Sequence, residues 1–487
     1  MFAIRRISVV TTASIALVAC SHNGPSTPPP NQPENPPPGG IAVQTWLTTA
    51  DQTKIFSHDS DVYLLADSAN TLPTIDVDES TTYQRMIGFG AAFTDASSYL
   101  IQEKMSASQR EGLLQDLFSH TNGIGLSFAR VTMGASDFSM KHYSYDDMPS
   151  GQTDPPLAHF SIDPDRNDKL PAIKRSLAIN PGLTIMASPW SAPGWMKTSG
   201  SLIQGSLKPE FYDAYADYFV KFIQAYAAEG VPIHAITIQN EPHFEPGDYP
   251  GMRVDTASRA RAIGDHFGPR FASAHLTTLI WDWDHNWDEP NSPTTVLADA
   301  AARQYVQGVA WHCYAGDVSA QSVVHNAYPD KDTYFSECSG GRWSPNFADN
   351  LKYFVGTLII GTTRNWSRSV ALWNLALDEN DGPHLGGCGN CRGVVTVIST
   401  TGTYLRNVEY FSLAHASKFV RPGAVRIEST SGVQGLTSVA FRNGDDASKV
   451  VIVLNSGSQA TRFSLRWSGK SLRYLLPAGS VVTFFWS

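Results

Sequence analysis

Ile236-Thr237-Ile238-Gln239-Asn240-Glu241-Pro242 and Thr333-Tyr334-Phe335-Ser336-Glu337 are short apolar runs that each close on a glutamate. Continuous rather than alternating apolarity predicts strands buried on both faces, and such strands are parallel. A carboxylate at the C-terminal end of a parallel strand stands on the rim where such sheets do their chemistry. Two of them, nearly a hundred positions apart, meet only if the sheet closes on itself. Working outward, the same kind of run recurs at 86–89, 128–132, 184–188, 234–239, 278–281, 309–312, 333–336 and 369–374. Most gaps hold a polar loop and an amphipathic helical stretch. Ser106-x-x-Gln109 has the form of a capping box ahead of Leu113, Leu114 and Leu117. Residues 209–229 carry Phe211, Tyr215, Tyr218, Phe219 and Phe222 and stop at Gly230, while 346–362 and 404–419 read as further helices. Eight alternations predict a (β/α)8 TIM barrel over residues 84–420. A doubly wound open sheet is the rival, but no glycine fingerprint opens its first βα turn.

Beyond Arg421-Pro422 the pattern changes to six short strand-like runs punctuated by Gly or Asn. This predicts an attached β-sandwich side domain over 421–487. Residues 41–83 hold three candidate strands, at 54–58, 62–65 and 74–77, assigned to the same sandwich. Residues 1–20 have signal-peptide form, with Arg5-Arg6 ahead of an apolar Ile7–Val18 stretch. Leu17-Val18-Ala19-Cys20 resembles a bacterial lipobox, which makes Cys20 the expected lipidation site. Residues 21–40 are a Pro-rich linker that cannot bury a core. An exported chain anchored by lipid alone, at the outer membrane or cell surface, is the expectation.

The net charge of -9 argues against nucleic-acid binding, which needs a basic patch. An exported chain permits disulfides. Cys388-Gly-Asn-Cys391 lacks the βαβ setting of a redox motif and the second pair of a zinc knuckle, so a local loop disulfide is expected. Cys313 and Cys338 fall at the ends of successive strands, and the residues leave their pairing open.

Glu241 follows the fourth strand and Glu337 ends the seventh, so the two face each other across an eight-strand ring. A facing carboxylate pair is the minimal equipment for breaking a glycosidic bond. Asn240 beside the acid suits a contact to a sugar hydroxyl, and Pro242 is expected to force Glu241 into extended geometry. Trp281-Asp282-Trp283-Asp284-His285-Asn286-Trp287 is an aromatic-acidic loop suited to sugar subsites. Its acids and histidine make only a weak cation site, and no metal or other cofactor is expected.

The chain also resembles glycoside hydrolase family 30, which contains glucosylceramidases and microbial β-1,6-glucanases. The resemblance runs in order through Gln84–Asp95, Ala129-Arg130-Val131, Ser136-Asp137-Phe138-Ser139, Tyr143–Asp147, Ala187–Trp190, Pro193–Lys197, Gln239–Pro242, Trp311–Ala315, Ser336–Cys338 and Trp373–Glu379. It implies retaining chemistry, with Glu337 as nucleophile and Glu241 as general acid/base. Asp95, Trp190, Asn240 and Trp373 would line the sugar subsite. Arg130 and Tyr314 would hydrogen-bond the nucleophile and keep it ionised, with His312 beside them. Two segments depart from the family pattern: Ala91 replaces a glycine, and Asp381-Gly-Pro-His384 replaces Gly-Gly-Pro-Asn. The Gly386–Arg392 extension is nearer the β-1,6-glucanase branch. The expected substrate is therefore a β-glucan oligo- or polysaccharide, cleaved by an endo-β-1,6-glucanase. The alternatives are a glucosyl lipid cleaved by a glucosylceramidase, a β-xylosidase activity, or a non-catalytic glycan-binding lipoprotein.

Overall fold

The computed structural model describes residues 37–487. The expected signal segment, Cys20 and nearly all of the expected linker therefore lie outside the described residues. Eight parallel strands close into a barrel: Gly88–Phe93, Phe128–Met133, Thr184–Pro189, Ala235–Thr237, Leu279–Asn286, Val306–His312, Asp332–Glu337 and Ser367–Asn374. The eighth pairs back onto the first, with Ser369 opposite Gly88, so the doubly wound alternative is excluded. Each expected run is a strand. The first is displaced towards its C-terminal end, because the Met86 amide bonds Ala424 and the Ile87 amide bonds Arg368 before barrel pairing begins.

Helices cover the outside, including Ala107–Phe118, Lys169–Ile179, Tyr212–Ala228 and Val408–Ser417. Ser106 and Gln109 form the expected capping box. The stretch read as one helix from Tyr404 is divided: Tyr404–Arg406 is a strand paired with Val395–Val397, and the helix starts after Asn407. Inside the barrel, Phe128, Met186, Ala235, Trp281, Ala310, Tyr334 and Ala371 form a separate buried cluster. Trp281 and Tyr334 stack there with ring centroids 3.6 Å apart. This plug fills the barrel interior, as in other packed (β/α)8 cores, and leaves chemistry to the C-terminal rim.

All six expected C-terminal strands are present, from Val425–Ser429 to Val481–Trp486. They form one ten-stranded sheet with four strands from before the barrel. The sheet folds over, because Ile41–Thr48 pairs with Val481–Trp486 along one part and with Val62–Ala66 along another. Its inner face holds an apolar core that includes Val43, Leu64, Ile427, Val451, Phe463 and Phe484. Ile41–Thr48 is the strand that sequence reading overlooked. It alternates weakly and runs straight out of the linker. Barrel and sandwich share a buried joint at His415, whose ring nitrogens contact Thr48 Oγ1 at 2.8 Å and Thr483 Oγ1 at 2.9 Å.

Candidate active site

The C-terminal ends of the barrel strands surround a cavity of about 550 Å³, within the usual range for small-molecule sites. Glu241, Glu337, Asn240, Trp190, Trp373 and Tyr314 all line it. Arg130 and His312 lie fully buried beneath. Trp190 and Trp373 stack on each other at 4.8 Å, and Arg130 lies over both rings, at 4.8 and 5.5 Å. The guanidinium is shared: it ion-pairs with Glu337, donates to Asn240 Oδ1 at 2.8 Å and pairs with Asp284 at 2.6 Å. With its oxygen occupied by Arg130, Asn240 has its amide nitrogen free to donate. Tyr314, half-exposed at the rim, donates its hydroxyl to Glu337 Oε1 at 2.9 Å.

Both carboxylates meet at one imidazole. His312 Nδ1 is 3.3 Å from Glu241 Oε1 and 3.9 Å from Glu337 Oε1. These two oxygens are thus no further apart than the sum of those spacings, about 7 Å, which accommodates the roughly 5–5.5 Å of a retaining pair.

The organising residue beneath them is Asp284, which the sequence offered only as a weak cation ligand. It accepts from Arg130, from Ser188 and Thr237 at 2.7 Å each and from Ser336 at 2.6 Å, and it faces His312 Nε2 at 3.0 Å. These partners come from the second, third, fourth, sixth and seventh strands. A shift in pairing register between the fifth and sixth strands accompanies left-handed backbone at Trp283 (φ 78°) and Asp284 (φ 56°). An irregularity of this kind re-aims a side chain, here into the barrel. Asp282, two residues earlier, pairs instead with Arg259 at 2.8 Å, so Asp282, Asp284 and His285 do not converge on a cation.

Burial alone would raise the Asp284 carboxyl, but Arg130, then His312 and Ser336, hold it far below the ordinary value. Burial opposes charge on His312, yet Glu337, then Asp284 and Glu241, outweigh it and push the imidazole up to about 9. Burial pushes His285 down to about 4. The two glutamates both lie against His312, so their protonations influence one another. Glu241 is held below its ordinary value despite burial, chiefly by His312 and then His285. Burial dominates at Glu337 and raises it against the pull of His312 and Arg130. The donors expected around Glu337 are therefore in place, but burial outweighs them and its affinity for a proton is raised.

Two expectations are corrected. Glu241 is not extended: its φ is 47°. Pro242 biases the residue before it towards extended backbone, and tertiary structure overrides that bias here. The Glu241 amide donates to Asp284 O at 3.0 Å, which fixes this strained conformation in the catalytic loop. Asp95 does not line the cavity. It begins the helix after the first strand, where Thr94 is the cap, and it is tied to Ser139, to Tyr143 at 2.9 Å and to Lys169 at 2.9 Å. Its partner Lys169 is itself buried and holds the side chain there.

The carboxyl that faces the cavity in its place is Asp137. Its Oδ1 is buried without a partner. Burial, with the charges of Glu337 and Glu241, pushes its pKa up to about 8, so it is a neutral donor at moderate pH. Gly387 (φ 68°) crosses directly over it; a Cβ there would lie 2.5 Å from Asp137 Cβ. The signal available in the sequence was the position of Ser136–Ser139 just past the second strand. Phe244 and Trp343, both about half-exposed, stand at the mouth. Both disulfides are formed, Cys313–Cys338 and Cys388–Cys391, with Cα–Cα spacings of 5.4 and 5.6 Å, and the second lines the cavity.

Comparison with known proteins agrees with this geometry. Residues 86–420 match the glycosyl hydrolase family 30 TIM-barrel domain and residues 423–484 its β-sandwich domain. An endo-1,6-beta-D-glucanase of Neurospora crassa is 38% identical over 427 residues, covering 84% of this chain and 87% of that protein. The lysosomal acid glucosylceramidase of Mus musculus is 30% identical, covering 83% of this chain and 81% of that protein. A solved endo-beta1,6-glucanase superposes with a TM-score of 0.84 at 32% identity, covering 92% of this chain and 99% of that one. The chain belongs to glycosyl hydrolase family 30 and is a retaining O-glycoside hydrolase.

Proposed function

We propose that this chain is an exported, lipid-anchored endo-β-1,6-glucanase in which Glu337 is the nucleophile and Glu241 the general acid/base. The observation that carries the catalytic roles is the meeting of both carboxylates at His312 Nδ1, on the floor of one cavity. Glu337 attacks the anomeric carbon, and Glu241 passes a proton to the departing glycosidic oxygen. The resulting ester then breaks when Glu241 takes a proton from the attacking water. In the free site the two carboxyls are ordered against these roles, Glu241 held low and Glu337 raised, so the switch rests on the change of charge at Glu337 during the reaction. The Glu337 charge is the largest influence that raises His312. Ester formation removes that charge, so the Glu241–His312 pair holds its proton less tightly and Glu241 becomes a base.

Support for a β-1,6-glucan comes from the 38% identical Neurospora crassa relative and from the Cys388–Cys391 loop at the cavity. Exposed Trp343 and Phe244 offer flat apolar faces to a sugar chain that continues past the reacting unit. The test is hydrolysis of β-1,6-, β-1,3- and β-1,4-linked glucans, a xylan and a glucosyl lipid by wild type and Glu337→Gln. Internal cleavage of the β-1,6 polymer, with the β-anomer released first, is expected. Preferred turnover of the glucosyl lipid or xylan would replace the substrate assignment. Binding without turnover by wild type would make the chain a glycan-binding protein.

The anchor rests on Leu17–Cys20 alone. Among the described residues no helix is long and apolar enough to cross a membrane. Metabolic labelling with a fatty acid should mark the wild type and not Cys20→Ser; equal labelling would remove the anchor from the account.

A further inference from the structure

We propose that Glu241, His285 and His312 form a binding site for one borderline divalent transition metal such as Zn²⁺, Co²⁺ or Ni²⁺, and that its occupation reversibly blocks the general acid. The three ligand atoms all lie within 4.8 Å of one another. Glu241 Oε1 is 3.3 Å from His312 Nδ1 and 3.6 Å from His285 Nδ1. Metal–ligand bonds of about 2.0–2.2 Å at tetrahedral angles separate neighbouring donors by about 3.3–3.6 Å. Both measured edges fall in that interval, and the third, between the two imidazoles, is bounded at 4.8 Å, so binding requires the rings to draw together.

The surroundings also fit a metal centre. His285 Nδ1 is buried and has no hydrogen-bond partner, since 3.6 Å to Glu241 is too long for one. His312 presents its other nitrogen to Asp284, the carboxylate–histidine arrangement that orients a metal-bound imidazole. Asp284 is itself held by three hydroxyls and Arg130, so this support is rigid. Arg130 pairs with Glu337 and Asp284 but not with Glu241, so the Glu241 carboxylate is left to the two imidazoles, and a metal would take the place of the proton they share. A fourth coordination position opens to the cavity, where water completes the set. Two imidazoles and one carboxylate select borderline metals over Mg²⁺ and Ca²⁺, which prefer all-oxygen shells. A metal-bound Glu241 carboxylate is neutralised by the ion and cannot also hold the proton for the departing oxygen, so bound metal and glycoside cleavage oppose each other.

The test uses tag-free full chain titrated with CoCl2 and with ZnCl2. One equivalent of Co²⁺ should give the intensified visible band of a low-coordinate site. At a Zn²⁺ concentration ten times its dissociation constant, the rate should fall about elevenfold and recover on adding chelator. His285→Ala should lose the Co²⁺ band and show at least tenfold weaker inhibition relative to its own metal-free rate. His285→Gln, which keeps a polar side chain, serves if the alanine variant misfolds by circular dichroism. Absence of the band with full activity in millimolar Zn²⁺ would overturn the proposal. So would undiminished inhibition of the His285 variants, or equal inhibition by Mg²⁺. The Co²⁺ spectrum needs no substrate, so its failure is distinct from failure of the β-1,6-glucanase assignment.

Discussion

Replacing Asp284 by asparagine keeps the shape of the buried hub and removes its charge. Arg130 then keeps its ion pair with Glu337 and its bond to Asn240 but loses the 2.6 Å partner. His312 loses the carboxylate 3.0 Å from Nε2. Removing one partner of a buried pair costs about 3–5 kcal/mol, and the retained Glu337 pair places this variant near the lower end, about 3 kcal/mol. The pH dependence has a definite sign. His312 is raised from 6.5 to about 9 in the folded chain. Its contribution is fully present below the unfolded value and is lost as pH rises through the folded one. The stability gap between wild type and Asp284→Asn should therefore be widest near pH 6 and narrow as pH passes about 9, without closing, because the Arg130 pair persists. Urea unfolding at several pH values reads the gap. Turnover should drop on the order of a hundredfold, because Arg130 loses one of its three anchors and His312 loses the carboxylate that orients its ring. A loss below about 1 kcal/mol with turnover within about threefold of wild type would refute the hub.

Three further outcomes are expected. Glu241→Ala should lose about 10²–10⁴ of its rate on a natural glucan but far less on an aryl glucoside whose leaving group needs no proton, and added azide should restore part of the loss. Equal losses on both substrates would remove Glu241 from the acid role. Asp137 has its pKa raised to about 8, so substrate affinity should weaken as pH rises through that value; Asp137→Asn should flatten this limb, and an unchanged KM–pH profile would contradict it. Trp343→Ala at the exposed mouth should raise KM for a polymer by about fivefold, a stacking contribution near 1 kcal/mol, and leave an aryl glucoside unaffected. A change shared by both substrates would place Trp343 at the reacting sugar.

The barrel was legible because each strand carries its own evidence, a continuous apolar run that local sequence cannot disguise. Glu241 and Glu337 were legible for the same reason: each sits immediately after such a run, so topology alone sets them opposite each other. Asp284 was not. Its role depends on left-handed backbone at two non-glycine residues and on hydroxyls from three other strands, none of which leaves a local trace. The left-handed turn at Glu241 was missed because the proline rule favours extended backbone, and the bond from its amide to Asp284 O, which overrides that preference, joins residues far apart in sequence. Asp95 and Asp137 both follow barrel strands in recognisable segments. Only packing decides that one answers Lys169 and the other faces the cavity.

The central claim is that Glu337 becomes covalently attached to the sugar while Glu241 handles the proton. A slowly turned-over fluorinated β-glucoside, followed by proteolysis and mass spectrometry, tests it directly. The account predicts one glycosyl adduct, on the peptide that contains Glu337. An adduct on Glu241, or inverted product with no adduct on either acid, would contradict it.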